Sequence, residues 1–175
     1  MNNSRFASLP RSRPSSIELM MRVAELVAQR STCRRSQVGA VVTDESMLQI
    51  FGYGYNGNAA GLANTCDSDE PGNCGCVHAE LNALLKAPGT TSRKRLFTTL
   101  SPCIACAKAI VNARVERVYF RLPYRKVDGL ALLLGAGVKI FHAIPSDTTT
   151  MWDRSLIEAV AREESKRGLV TFVEP

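Results

Sequence analysis

"RLFTTLSPCIACAKAIVNARVERVYF", Arg95 to Phe120, decides the architecture. Arg95–Leu100 and Val115–Phe120 are rich in β-branched, aromatic and other apolar residues, as short strands are. Cys103–Ala113 between them reads as a helix, and Pro102 suits its first turn, where the missing N–H would have no partner anyway. Strand, helix and strand thus follow one another within a single short span.

The pattern extends in both directions. Upstream, Ile17–Arg30 has apolar residues at helical spacing, with Ser15 and Ser16 as N-cap candidates. "VGAVVTDESMLQIFGYGYNG" reads as two strands joined by a turn near Asp44–Ser46. Residues 56–76 are rich in Gly, Asn and Asp and form a long loop, a feature that usually has a purpose in a compact domain. Val77–Ala87 returns to helical spacing and Pro88-Gly89 ends it. Downstream come a helix over Val127–Leu134, a strand at "VKIFH", a helix over Thr150–Lys166 and a short last strand at "LVTFV". A hairpin followed by alternating strands and helices argues for a mixed sheet between helical layers. Residues 1–15 read as a flexible basic tail, 16–145 as the domain, and 146–175 as a C-terminal segment packing on the domain or at an interface.

Composition narrows the class. The 175 residues are 45% hydrophobic and 22% charged, as in an ordinary globular domain. No stretch is apolar enough for an export signal or a membrane span, so a cytoplasmic location is expected. The net charge of +6 is dispersed in short clusters, which permits nucleotide phosphate binding and also weak nucleic-acid attraction. Aromatics are not interleaved with the basic residues as RNA base stacking would prefer, so nucleic acid is an unlikely partner. Six cysteines, at 33, 66, 74, 76, 103 and 106, read as metal ligands rather than disulfides.

Cys103 and Cys106, at i and i+3 in the first turn of a helix, point the same way, and unpaired N–H groups there favour thiolates. With His78 as a third ligand, a tetrahedral zinc keeps one position open for water, as in a catalytic site. Glu80, two residues after His78, is the candidate proton carrier. The pattern His78-Ala79-Glu80 followed by Pro102-Cys103-Ile104-Ala105-Cys106 is the zinc-deaminase signature. Cys33, Cys66, Cys74 and Cys76 are left over; they read either as a second, structural zinc site pinning the long loop or as free thiols.

Beyond that signature, "STCRRSQVGAVV", "GYGYNGNAAG", "NTCD", "VHAELNAL", "TTLSPCIACAKAIVNARVERVYF" and "LLLGAGVKIF" resemble the deoxycytidylate (dCMP) deaminases over most of residues 17–142. The resemblance implies a cytidine-deaminase-like three-layer α/β/α sandwich around a mixed five-stranded sheet. It implies hydrolysis of dCMP to dUMP with release of ammonia, with zinc on His78, Cys103 and Cys106 and with Glu80 as acid and base. It also implies substrate contacts at Asn56, Ala79, Ser101 and Tyr124, with Asn56 on the deoxyribose hydroxyl and Tyr124 at the base. From the residues alone, Asn56 could equally be a turn residue and Tyr124 edge packing.

Phage-type members are similar in carrying a second zinc, with cysteines at the positions of Cys33 and Cys66; where they have two histidines, this chain has Cys74 and Cys76. The family pattern has proline where this chain has Ala59. Family members are commonly hexamers activated by dCTP and inhibited by dTTP, so a homo-oligomer and these effectors are expected. Arg125, Lys126 and Lys108 are the phosphate candidates by charge alone. The rival readings are a tRNA adenosine deaminase, a deaminase that also accepts dCTP, and an inactive zinc scaffold. Retention of Glu80 argues against the last.

Overall fold

The computed structural model describes residues 13–70, 73–89, 93–145 and 148–166. In chain order the elements are α1 (Ser16–Ala28), β1 (Gly39–Asp44), β2 (Ile50–Tyr55), α2 (Ala79–Leu84), β3 (Lys94–Leu100) and α3 (Ile104–Asn112). Then come β4 (Val115–Leu122), α4 (Asp128–Gly135), β5 (Lys139–Ile144), β6 (Thr148–Trp152) and α5 (Arg154–Lys166). The expected final strand at 169–173 lies outside the described residues.

The strands form one mixed sheet in the order β2-β1-β3-β4-β5-β6. β1 runs antiparallel to β2 and β3, whereas β3, β4 and β5 are mutually parallel. The sheet has six strands rather than the expected five, because Thr148–Trp152 pairs antiparallel with β5 where the sequence reading begins a helix at Thr150. Three successive threonines, β-branched and stiff, favour the extended chain. Trp152 then anchors the strand by setting its ring edge-on to Phe120 and His142. Asp153 ends it and caps α5, its Oδ1 accepting from the Leu156 N–H at 3.0 Å.

Two apolar layers sandwich this sheet. On one face, Met20, Met21 and Ala24 of α1 pack on Val41, Phe97, Tyr119 and Ala143. Phe97, Tyr119 and Phe141 are register partners on β3, β4 and β5, and their rings stack at 4.7 and 4.8 Å. Arg121, buried on β4, holds α1 with two salt bridges, to Glu18 at 3.1 Å and Glu25 at 2.7 Å. The larger core on the opposite face gathers residues of α2, α3, α4 and α5, among them Ala83, Ile110, Leu130 and Ile157.

One close approach matters for the site. α2 lies directly on β2, where a Cβ at Gly54 would meet the Ala79 carbonyl oxygen at 2.4 Å and one at Gly52 the Ala83 carbonyl oxygen at 2.5 Å. Side chains at these two strand positions would lift α2, and with it His78 and Glu80, off the sheet. The glycines of "GYGYNG" therefore set the height of that helix.

Candidate active site

The starts of α2 and α3 come together. His78 is the N-cap of α2 and Cys103 the N-cap of α3, and neither side chain caps its helix. Serine, threonine, asparagine or aspartate would serve the helices better there; the residues present are turned to each other instead. His78 Nδ1 lies 3.4 Å from Cys103 Sγ and 3.3 Å from Cys106 Sγ. Around a tetrahedral zinc with ordinary bond lengths, a nitrogen and a sulfur would be about 3.6 Å apart. The donor set and its spacing thus fit zinc.

The electrostatics point the same way. The Cys103 thiol is pulled down to about 3, first by its hydrogen bond with Cys106 and, against burial, by His78. His78 is raised above the ordinary imidazole value, chiefly by Cys103. Cys106 is pushed far up, first by Cys103 and then by burial. Protein groups alone therefore support one thiolate, and a divalent cation is what lets both sulfurs ionise side by side.

Glu80 sits in the first turn of α2, 4% exposed. Burial raises its carboxyl to about 6, against the opposing pull of its own backbone N–H and of His78. It borders a cleft of about 260 Å³ that His78, Ala79 and Cys103 also line. Ser101 and Tyr124 line the cleft as well, and Ser101 accepts the Tyr124 N–H at 2.7 Å, fixing the turn after β4. Asn56, Ala79, Ser101 and Tyr124 thus share one cavity.

Asn56 is buried at the end of β2, and its amide is oriented by main-chain groups. Oδ1 accepts the Val38 N–H at 2.8 Å, and Nδ2 donates to the Ser36 carbonyl at 2.8 Å. One N–H of the carboxamide is left over for a ligand. The Asn56 side chain therefore both ties down the 36–38 segment and borders the cleft.

The four remaining cysteines meet beside the cleft. Cys33 follows α1, while Cys66, Cys74 and Cys76 come from the loop between β2 and α2. The Cys33–Cys66 and Cys66–Cys76 sulfur separations are 3.6 Å, and Cys33–Cys74 is 4.0 Å. Sulfurs around a tetrahedral zinc would be about 3.8 Å apart. All six cysteines are free thiols. Burial opposes ionisation of Cys33, but the N–H groups of Arg35 and Ser36 and the neighbouring thiols bring it down to about 7. Burial pushes the Cys76 thiol up.

Gly75, with φ +77°, turns the chain between Cys74 and Cys76. The neck of the loop is closed by a bridge in which Gly57 and Val77 exchange both N–H···O bonds.

Of the phosphate candidates, Arg125 lines the cleft, whereas Lys108 and Lys126 are exposed and are not among its lining residues. Arg35 lines it too, and the sequence reading passed over it. Its position two residues after Cys33 was the available signal. Arg35 donates to the carbonyls of Asp69 and Glu70, and Arg34 pairs with Asp69 at 3.5 Å, so this basic pair also holds the cysteine-bearing loop.

Residues 14–122 match the family model described as the cytidine and deoxycytidylate deaminase zinc-binding region. A deoxycytidylate deaminase of Mycobacterium phage D29 is 39% identical over 129 residues, covering 62% of this chain and 96% of the phage protein. The Saccharomyces cerevisiae deoxycytidylate deaminase is 31% identical over 75% of this chain, which spans only 46% of the yeast protein. Among solved structures, the dCMP deaminase of cyanophage S-TIM5 in complex with dCMP and dUMP superposes with a TM-score of 0.64 at 36% identity, covering 74% of this chain and 97% of the other. The chain belongs to the family of cytidine and deoxycytidylate deaminases.

Proposed function

We propose that the protein hydrolyses dCMP to dUMP and ammonia, one water being consumed per turnover. The observation that carries this reading is the His78, Cys103 and Cys106 cluster beside a buried carboxylate, in a cleft that also holds two arginines. When bound by those three residues, zinc supplies an acidified water, with a pKa of roughly 7, and Lewis acidity.

Glu80 moves the protons. It takes one from the attacking water and gives it to N3 of the cytosine ring as C4 is attacked. It then takes the remaining proton of the hydroxyl added at C4 and delivers it to the departing amine, which returns the carboxylate to its starting state. A carboxyl at about 6 exchanges protons readily in both directions near neutrality. Tyr124, Ala79 and Ser101 border the base. The spare N–H of Asn56 donates to the deoxyribose hydroxyl. Arg125 and Arg35 attract the 5′-phosphate. Among the described residues that line the cleft, Glu80 is the one carboxylate.

Cys33, Cys66, Cys74 and Cys76 hold a second, structural zinc that ties the loop to the end of α1. Their sulfur separations support this, and zinc would offset the charge of the four thiolates that bind it. The family resemblance extends the proposal to a cytoplasmic homo-oligomer responsive to dCTP and dTTP. No helix among the described residues is long and apolar enough to cross a membrane.

The test is an ammonia-release assay on dCMP, CMP, dCTP, deoxycytidine and an adenosine-bearing tRNA hairpin, each with and without dCTP and dTTP. Preferred turnover of dCMP is the expected result. Preference for the RNA hairpin would overturn the reading.

A further inference from the structure

We propose that Ser31 is a positioning residue for nucleotide binding, its hydroxyl joining Cys33 of the four-cysteine cluster to Asn56 of the cleft. The inference rests on the proposed role of Asn56 in nucleotide binding and adds how that residue is held.

The Ser31 hydroxyl lies 2.6 Å from Asn56 Oδ1 and 2.8 Å from the Asn56 carbonyl oxygen, and it accepts the Cys33 N–H at 3.2 Å. The orientation of the Asn56 amide is not arbitrary. A backbone N–H at Val38 needs an acceptor and a carbonyl at Ser36 needs a donor, which assigns Oδ1 and Nδ2. Ser31 has one proton to donate, with Asn56 Oδ1 and the Asn56 carbonyl as its near acceptors and the Ser36 carbonyl farther off at 3.4 Å, and its lone pair receives the Cys33 N–H.

The neighbouring contact is equally close. A Cβ on Gly57 would lie 2.5 Å from Thr32 Oγ1, so the end of β2 is pressed against the segment that delivers Cys33. The three residues Ser31-Thr32-Cys33 thus touch the cleft residue with the first and the cysteine cluster with the last. A metal that fixes Cys33 fixes the Cys33 N–H, the Ser31 hydroxyl and hence the Asn56 amide. Loosening the cluster would let the nucleotide end of the cleft drift through Ser31 and Asn56, whereas Cys103 and Cys106 are carried by a different segment, at the start of α3.

The experiment measures dUMP binding by calorimetry, and KM and kcat for dCMP, in the zinc-loaded full chain and in Ser31→Ala, Ser31→Thr, Asn56→Ala, Cys66→Ser and Ser31→Ala/Cys66→Ser variants. Metal content and thermal unfolding are recorded for each. Ser31→Ala is expected to weaken dUMP binding and raise KM by about two- to tenfold, the equivalent of one hydrogen bond, with a smaller change in kcat and both zinc ions retained. Ser31→Thr restores the affinity. Cys66→Ser weakens dUMP binding too, and the double variant is less than additive.

Unchanged dUMP affinity in Ser31→Ala beside a weakened Asn56→Ala overturns the positioning role and leaves the proposed function standing. Additive effects in the double variant overturn the link to the cluster. Unchanged affinity in both Ser31→Ala and Asn56→Ala removes Asn56 from the binding site, and this inference with it. Failure of the unsubstituted protein to bind dUMP would count against the proposed function itself.

Discussion

Gly129 of α4 lies against Pro102 so closely that a Cβ built on the glycine would meet the Pro102 carbonyl oxygen at 2.1 Å and the Cys103 carbonyl carbon at 2.8 Å. A buried helical glycine normally costs stability relative to alanine. Here it lets a helix far along the chain seat the turn that carries Cys103 and leads into α3. The position of Cys103 is thus set by α4 as well as by the strand before it.

Gly129→Ala is therefore expected to act at the metal. Backbone rather than a flexible side chain occupies the space, so the added methyl must push the Pro102–Cys103 turn aside. The expected loss is about 1–3 kcal/mol of folding stability, with weakened retention of one zinc per chain under chelator. Metal release timed against EDTA checks this; release kinetics like those of the unsubstituted protein would show that the turn yields without moving Cys103.

Glu80→Gln separates metal binding from proton transfer. The amide is isosteric and Glu80 is not needed as a ligand, so zinc content should not change. It cannot shuttle protons between water, N3 and the amine, and turnover of dCMP is expected to fall by at least about a hundredfold. Undiminished ammonia release from a fully zinc-loaded variant would remove Glu80 from the mechanism.

The two cysteine groups predict two zinc ions per chain, one lost in Cys66→Ser. A loop of this length released from its clamp should lower the melting temperature by roughly 5–10 °C. Elemental analysis and calorimetry test both statements. A stoichiometry of one, with Cys33, Cys66, Cys74 and Cys76 alkylated freely in the native protein, would leave that cluster as plain thiols.

What was legible in the sequence divides along a physical line. His78, Cys103 and Cys106 announce themselves because ligand chemistry fixes residue type and helix geometry fixes short spacing. The hairpin and the parallel strands are legible because their apolar pattern is local. Thr148–Trp152 is not: four of its five residues are exposed, and its strand conformation rests on pairing with β5 and on Trp152 meeting Phe120, partners that no local window contains. Arg35 was missed for a similar reason. An exposed arginine beside another looks like solvated charge until the fold closes the cleft next to it. The Asn56 amide shows a subtler limit, since its orientation depends on Ser36 and Val38 being brought within reach.

Arg121 offers a stability test remote from the cleft. It is 8% exposed, bonds Glu18 and Glu25, and donates to the Ala143 carbonyl at 2.6 Å. Arg121→Met would leave buried Glu18 with Arg22 alone and is expected to cost about 3 kcal/mol. Denaturant unfolding measures this. Occupancy of the His78, Cys103 and Cys106 group should be unaffected in the folded fraction, because α1 packs on the other face of the sheet from α2 and α3.

Arg35 and Arg125 should distinguish a nucleotide from a nucleoside. If they face the phosphate, Arg125→Ala raises KM for dCMP by about tenfold, the worth of one charge-assisted contact, and leaves whatever turnover of deoxycytidine the unsubstituted enzyme has unchanged. Arg35→Ala behaves alike but also loosens the loop, because its guanidinium holds the carbonyls of Asp69 and Glu70. The two variants should therefore part in thermal stability while agreeing in substrate preference. Added salt supplies an independent check, since screening should raise KM for dCMP in the unsubstituted enzyme more than in either variant. An equal loss of activity toward dCMP and deoxycytidine in Arg125→Ala would mean that the arginine supports the fold of the cleft, and that the phosphate is bound by other groups.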